Sequence, residues 1–133
     1  MTQPGRRRIL YVEDDPDLRE LGQLALEMER KFDVDACASG AEAIARAGDC
    51  LPDLILLDVR MPGMDGLQTL RRLRELEGLG ATPAVFMTGG TTNAEVEALY
   101  AAGAVAVVGK PFEIGRLSSQ IDEIWMTFHA NDH

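Results

Sequence analysis

Short apolar runs alternate with longer amphipathic segments along this chain, and the alternation repeats five times. Each run is short enough for one β-strand, and several are apolar throughout, which is typical of parallel strands covered on both faces. The runs are RILYV at 8–12, DVDAC at 33–37, DLILL at 53–57, PAVFM at 83–87 and VAVV at 105–108. We therefore expect five strands, each followed by a helix.

The segments between the runs carry start signals for helices. Asp15 precedes Pro16, as an N-cap precedes the first helical position. SGAE at 39–42 and TNAE at 92–95 both fit a capping box, and Asp65-Gly66 precedes the third helix. The apolar residues expected on inward faces are Leu18, Leu21, Ala25 and Met28; Leu67, Leu70, Leu73 and Leu76; and Ile114, Leu117, Ile121, Ile124 and Phe128.

Five strand-then-helix units predict a doubly wound α/β domain, because parallel strands are joined by right-handed crossovers that place helices on both faces. A length of 133 residues with 46% hydrophobic content suits one domain. We expect a single domain over 1–133, with a core at about 8–128 and short flexible tails. The basic cluster at 6–8 is interpreted as part of a solvated tail.

Composition narrows the class of protein. A net charge of -9 argues against binding the phosphate backbone of nucleic acid, which needs a basic surface. The sequence contains no apolar run of about 20 residues and no leader pattern, so we expect a cytoplasmic protein that does not enter a membrane. Cys37 and Cys50 lack zinc-like spacing, and we interpret them as reduced, buried thiols.

Reactive side chains follow four of the five runs. In doubly wound sheets, function collects beyond the carboxyl ends of the strands, where the strand order reverses. The first and third strands flank that point, so Asp14 and Asp58 should face each other across a few ångströms. Asp15 is instead expected to cap the first helix. The side chains at this edge are Glu13, Asp14 and Asp15 after the first run, Asp58 after the third, Thr88 after the fourth and Lys110 after the fifth.

Carboxylates placed together need a positive partner, since two like charges at 4 Å repel by about 4 kcal/mol at an effective dielectric of about 20. One or two carboxylates plus water suit Mg²⁺, and Lys110 supplies a second positive charge. A carboxylate beside Mg²⁺, a hydroxyl and an ammonium group can attack a phosphoryl group, which would form an aspartyl phosphate. No glycine-rich phosphate loop is present, so a bound nucleotide is not supported.

Four motifs in this order resemble the receiver domain of two-component response regulators over about 9–128. They are VEDD at 12–15, LLDVRMPGMDG at 56–66, MTGG at 87–90 and GKPF at 109–112. The resemblance implies a flavodoxin-like, three-layer fold with strand order 2-1-3-4-5. It also implies a phosphoacceptor that takes its phosphoryl group from a sensor histidine kinase or a histidine phosphotransfer protein. Such a protein catalyses only its own phosphotransfer and dephosphorylation.

By this resemblance Asp58 is the phosphoacceptor. Asp14 would bind Mg²⁺ directly and Glu13 through water, while Asp58 and the main-chain carbonyl of Arg60 complete the protein ligands. Arg60 and Gly90 also lie where the family tunes dephosphorylation.

The resemblance also assigns the residues that hold the phosphoryl group and report it. Thr88 would hydrogen-bond the group and Lys110 would pair with it, and the peptide bond from Lys110 to Pro111 would be cis. The family often has an aromatic residue where this chain has Val107, so the switch of Thr88 and Val107 cannot use an aromatic ring.

A signal leaving this site would pass to a partner protein. By resemblance, the fourth helix, fifth strand and fifth helix form the contact surface, with Tyr100, Ala101 and Trp125 as candidates for its exposed part. A change in the loop with Gly89 and Gly90 would carry the signal through backbone and the fourth helix.

Other functions are weighed against the same residues. A haloacid-dehalogenase-like phosphatase also uses an aspartate nucleophile and Mg²⁺, but it needs a second aspartate where this chain has Arg60. A flavodoxin-like flavin binder needs a phosphate loop rich in Thr, Ser and Gly, and here that loop is acidic. The initial Met1 favours a free-standing regulator over a receiver excised from a hybrid histidine kinase or multidomain regulator, and that alternative stays open.

Overall fold

A computed structural model describes residues 6–90 and 92–130 of the chain. Five strands alternate with five helices within these ranges. The strands are β1 Arg7–Val12, β2 Phe32–Cys37, β3 Leu54–Asp58, β4 Ala84–Thr88 and β5 Ala106–Gly109. The helices are α1 Pro16–Glu27, α2 Gly40–Cys50, α3 Gly66–Arg74, α4 Asn93–Ala101 and α5 Leu117–Ala130.

The strands form one parallel sheet in the order β2-β1-β3-β4-β5. Successive side chains of a strand point to opposite faces, so the sheet separates two cores. On one face Leu10 and Ile55 pack with residues of α2, α3 and α4, and on the other Ile9 and Leu56 pack with residues of α1 and α5. The predicted three-layer, doubly wound α/β fold and its strand order are confirmed.

Strands β3, β4 and β5 each end one residue later than predicted. Asp58 and Thr88 belong to β3 and β4, because the ladder continues through the pairs Asp58 with Met87 and Thr88 with Gly109. The reactive residues therefore stand inside the sheet, where backbone pairing fixes their position.

The basic cluster at 6–8 is not a solvated tail, so that prediction was wrong. Arg7 pairs in register with Phe32 of β2, and its guanidinium lies 4.2 Å from the ring centroid of Trp125. Arg7 also forms an ion pair with Asp122, and Arg6 forms one with Asp33 at 3.1 Å. The predicted flexible tails covered about 1–7 and 129–133. Residues 129–130 instead belong to α5, and residues 1–5 and 131–133 lie outside the described residues.

Helix α1 buries Ala25 as predicted, but the rest of its inward face differs from the prediction. Leu21 and Met28 are exposed, whereas Gly22, Ala25 and Leu26 are buried. Tyr11 of β1 is the cause, because a Cβ atom built on Gly22 would lie 2.2 Å from the tyrosine hydroxyl oxygen. A large strand residue thus requires small residues on the helix that covers it.

The predicted helix starts are correct at most positions. The Asp15 side chain accepts hydrogen bonds from the N–H groups of Asp17 and Leu18. Ser39 and Thr92 accept from the N–H groups of Glu42 and Glu95, but neither glutamate returns a bond to the cap N–H, so neither pair is a full capping box.

A full capping box is present at α3, where the side chains of Asp65 and Gln68 each accept a hydrogen bond from the other's main-chain N–H. Helix α5 begins only at Leu117, and the exposed Ile114 is not on its inward face. No helix in the described ranges is both long enough and apolar enough to span a bilayer.

Candidate functional site

Three carboxylates meet at the carboxyl edge of the sheet. Glu13 and Asp14 directly follow β1, and Asp58 ends the neighbouring β3. One oxygen from each of the three lies within 4.8 Å of the others. Asp14 and Asp58 therefore face each other as expected from the strand order.

Asp58 is held on a rigid support. All five residues of β3 are buried, and Asp58 itself is only 6% exposed. The loop after it turns back tightly, since the Gly66 N–H donates to the Val59 carbonyl at 2.9 Å. A Cβ atom at position 66 would lie 2.4 Å from the Asp58 carbonyl oxygen, so this close return requires glycine.

Lys110 supplies the cation that contacts the carboxylates. Its Nζ lies 3.1 Å from Glu13 Oε1 and 3.2 Å from Asp58 Oδ2. The main-chain N–H of Lys110 donates to the Thr88 carbonyl at 2.8 Å, and the Lys110–Pro111 peptide bond is cis. Burial lowers the pKa of Lys110, but the hydrogen bond to Glu13 and the charge of Asp58 outweigh it, so its pKa is raised. The lysine is therefore charged at neutral pH.

The pKa of the Glu13 carboxyl group is shifted well above its ordinary value. Its side chain is only 2% exposed, and this burial raises its pKa to about 7. The N–H of Asp15 and the charge of Lys110 lower the pKa, while the charge of Asp58 raises it. Burial is thus the main reason why Glu13 holds its proton more tightly than an ordinary glutamate.

Two residues that the sequence reasoning missed support the turn after β1. Arg19 donates from its guanidinium to the carbonyls of Glu13 and Asp14, at 3.0 and 3.4 Å. Tyr11 is fully buried and donates its hydroxyl to the Leu18 carbonyl at 3.3 Å. Burial first, and then the charges of Glu13 and Asp58, raise the pKa of Tyr11. The only sequence signal was a tyrosine inside a buried run.

The remaining predicted site residues lie around this cluster. Thr88 ends β4 and is buried. Val107 of β5 is partly buried and stands in register with Phe86 of β4. The Arg60 side chain points to α4, where it forms an ion pair with Glu95 at 3.1 Å. The roles of the Thr88 hydroxyl, of Val107 and of the Arg60 carbonyl stay predictions.

The donor set fits a magnesium ion. Carboxylate oxygens are hard ligands, and Mg²⁺ binds through one or two of them while it keeps several waters. Three such oxygens within 4.8 Å, beside one lysine, match this preference. The site can therefore gather Mg²⁺, a carboxylate nucleophile and an ammonium group around one point.

The comparison with family models agrees with this geometry. Residues 9–122 match the response regulator receiver domain. The match covers most of the 133 residues, so the chain belongs to the receiver domain family of two-component signalling.

Curated relatives extend beyond the aligned region. The chain is 36% identical over 116 residues to the DNA-binding response regulator MtrA of Mycolicibacterium smegmatis, covering 87% of this chain and 49% of that protein. It is 37% identical over 112 residues to the transcriptional regulatory protein ResD of Bacillus subtilis, covering 84% of this chain and 45% of that protein. The chain thus spans about half the length of these relatives.

Solved structures show the same fold. The chemotaxis protein CheY4 of Vibrio cholerae matches with a TM-score of 0.82 at 27% identity, covering 90% of this chain and 98% of that one. A putative response regulator from Chloroflexus aurantiacus matches with a TM-score of 0.80 at 30% identity, covering 91% and 98%.

Proposed function

We propose that this domain accepts a phosphoryl group on Asp58 and, once phosphorylated, offers a changed surface to a partner protein. The observation that carries the proposal is the contact of Lys110 with both Glu13 and Asp58 beside Asp14. Membership of the receiver domain family supports it.

The chemistry follows from the side chains at the edge. A carboxylate oxygen of Asp58 forms a bond to phosphorus while the bond to the donor breaks, and the donor nitrogen or oxygen leaves with that electron pair. Lys110 Nζ already lies 3.2 Å from Asp58 Oδ2, so it can stabilise negative charge on the phosphoryl oxygens. Mg²⁺ held by Glu13, Asp14, Asp58 and the Arg60 carbonyl would neutralise further charge. The protein would catalyse only this transfer and the later dephosphorylation, in which water attacks phosphorus, the bond to Asp58 breaks and inorganic phosphate leaves.

A phosphohistidine donor would need to dock beside Asp58. An apolar groove of about 380 Å³ lies between α1 and the segment after β5, and it reaches Lys110, which contacts Asp58. Leu21 is 41% exposed and Ile114 is 45% exposed, and Lys110 also lines the groove. This groove suits an apolar helix face of a sensor histidine kinase or a histidine phosphotransfer protein.

The output surface is proposed to be α4, β5 and α5. Tyr100 and Ala101 of α4 are exposed, while Trp125 of α5 is half-buried against Arg7. A second groove of about 550 Å³ is lined by residues of β5 and α5, including Val107 and Phe128. Trp125 is therefore a weaker contact candidate than Tyr100.

We further propose that the domain acts in the cytoplasm, and a free-standing regulator is one form that this function can take. Its relative MtrA carries a DNA-binding name, but this chain covers only 49% of that protein. The expectation that this chain itself binds no nucleic acid rests on its net charge of -9 and stays a prediction. The alternative of a receiver from a longer regulator or hybrid kinase keeps the same chemistry at Asp58.

Incubation with acetyl phosphate, with and without Mg²⁺, tests the proposal by intact mass. We expect one added phosphoryl group that requires Mg²⁺ and is absent in Asp58→Asn. Asp53→Asn is the matched control, because Asp53 stands just before the same strand and should leave labelling intact. Labelling that persists in Asp58→Asn, or steady hydrolysis of phosphate esters, would refute the assignment.

A further inference from the structure

An ion pair joins the loop after Asp58 to helix α4. Arg60 stands two residues after Asp58, and its guanidinium nitrogen lies 3.1 Å from Glu95 Oε2 in the first turn of α4. The hydrogen bond from Arg60 is the largest cause that holds the pKa of Glu95 below its usual value. This contact spans 35 positions of the sequence and connects two elements that do not follow each other in the chain.

Helix α4 is poorly anchored by apolar packing. Leu99 is its only buried residue, and Tyr100 is 48% exposed. A helix with so few buried side chains can shift at low cost, so a surface contact at its first turn has a measurable influence on it. Arg60 provides that contact among the described residues.

We propose that Glu95 and a phosphoryl group on Asp58 compete for the Arg60 guanidinium, so that phosphorylation releases α4. Arg60 is a positioning residue in this view, and the inference rests on the proposed function. The phosphoryl group brings about two negative charges and three acceptor oxygens, whereas Glu95 offers one charge. A guanidinium also matches phosphate geometry with two parallel hydrogen bonds.

This exchange gives a route for the signal that needs no aromatic ring at position 107. The pair is open to solvent, with side chains 68% and 45% exposed, so its influence on α4 is limited. We expect about a twofold to fivefold change in the opening of α4, the range of exposed ion pairs. The pair therefore biases the position of α4 without locking it.

Hydrogen exchange of the α4 segment tests the proposal in Glu95→Gln, with Glu97→Gln as the control. Both variants remove one negative charge from the same helix, and Glu97 forms no ion pair with any residue in 6–90 or 92–130. In the unmodified protein we expect Glu95→Gln to speed α4 exchange about twofold to fivefold, and Glu97→Gln to leave it unchanged. Arg60→Gln must match Glu95→Gln, because a simple capping effect of Glu95 would not depend on Arg60.

Hydrogen exchange of α4 in the phosphorylated protein is the decisive measurement. Acetyl phosphate and Mg²⁺ should speed α4 exchange in the wild type, and should add nothing further in Glu95→Gln. An equal response of both proteins to phosphorylation, or equal behaviour of Glu95→Gln and Glu97→Gln, would overturn the proposal. Intact mass is read from the same samples, so absent labelling identifies failure of the proposed function, and the unmodified variants still show whether the ion pair restrains α4.

Discussion

Both ends of the sheet carry carboxylates, and the two ends provide different partners for them. At the amino end, Asp122 contacts both Arg7 and Lys31, and Asp33 contacts Arg6. At the carboxyl end, Glu13, Asp14 and Asp58 cluster within 4.8 Å, and Lys110 is the single side chain that forms ion pairs with them among the described residues. Carboxylates that are paired with cationic side chains stabilise the fold. Carboxylates that outnumber their cationic partners form a site for a cation.

Strand β3 shows the contrast within a few residues. Asp53, just before it, accepts the Arg8 N–H at 2.8 Å and joins neighbouring segments of the fold. Asp58, at its end, meets two other carboxylates. We therefore expect the same residue type to stabilise the structure at one end of the strand and, without a bound cation, to oppose folding at the other.

The largest effect should come from pH, through Glu13. Its folded-state pKa of about 7 lies above the ordinary 4.5, so its contribution to stability is full below about 4.5 and is lost as pH rises through about 7. Without Mg²⁺, the free energy of unfolding should fall by up to about 3 kcal/mol between pH 5 and pH 8. Urea unfolding at several pH values measures this. In Glu13→Gln the slope should flatten, and an unchanged slope there would exclude Glu13 as its source.

Asp122→Asn should have the next largest effect, at the amino end. The substitution keeps the shape of the side chain but removes the carboxylate that Arg7 and Lys31 share. Because this pair is only 15% to 21% exposed at Asp122 and Arg7, we expect a loss of about 2 kcal/mol in unfolding free energy. Magnesium binding should not change. A stability equal to that of the wild type in urea unfolding would contradict matched charge at this end.

Asp58→Asn should instead increase the free energy of unfolding. Without Mg²⁺ it removes repulsion from Glu13 and Asp14 and loses only the attraction of Lys110, so unfolding free energy should rise by about 1 kcal/mol. The same urea experiment measures it. A loss of stability would show that Lys110 already balances the three carboxylates.

Asp53→Asn should give the smallest change. Its amide oxygen can still accept the Arg8 N–H, so only the charge-assisted part of the hydrogen bond is lost, about 0.5–1 kcal/mol. Chemical unfolding can resolve this difference. Comparison of Asp53→Asn with Asp58→Asn then shows whether the sign of the effect reverses along one strand.

Local patterns predicted the sheet and the grouping of residues at its edge, because the alternation of apolar runs and helix caps is encoded within short segments. The inward face of α1 was not predictable in the same way. It depends on Tyr11, which lies in another element and requires Gly22 opposite its hydroxyl.

Ion pairs between residues that are distant in sequence also could not be predicted from local patterns. The segment at 6–8 looked like a basic tail, although Arg7 pairs with Asp122, 115 positions away. The contact of Arg60 with Glu95 likewise arises only when β3 and α4 are brought together by the fold. Side chains on neighbouring strand ends could be predicted, because one topological rule places them at the same edge.

The central claim is that the excess carboxylates at the carboxyl edge form the magnesium site that serves Asp58. Calorimetric titration of Mg²⁺ into the wild type, Asp14→Asn and Asp53→Asn tests it most directly. We predict one binding site in the wild type, unchanged in Asp53→Asn and strongly weakened in Asp14→Asn. Equal Mg²⁺ affinity in all three proteins, or no binding by the wild type, would contradict the claim.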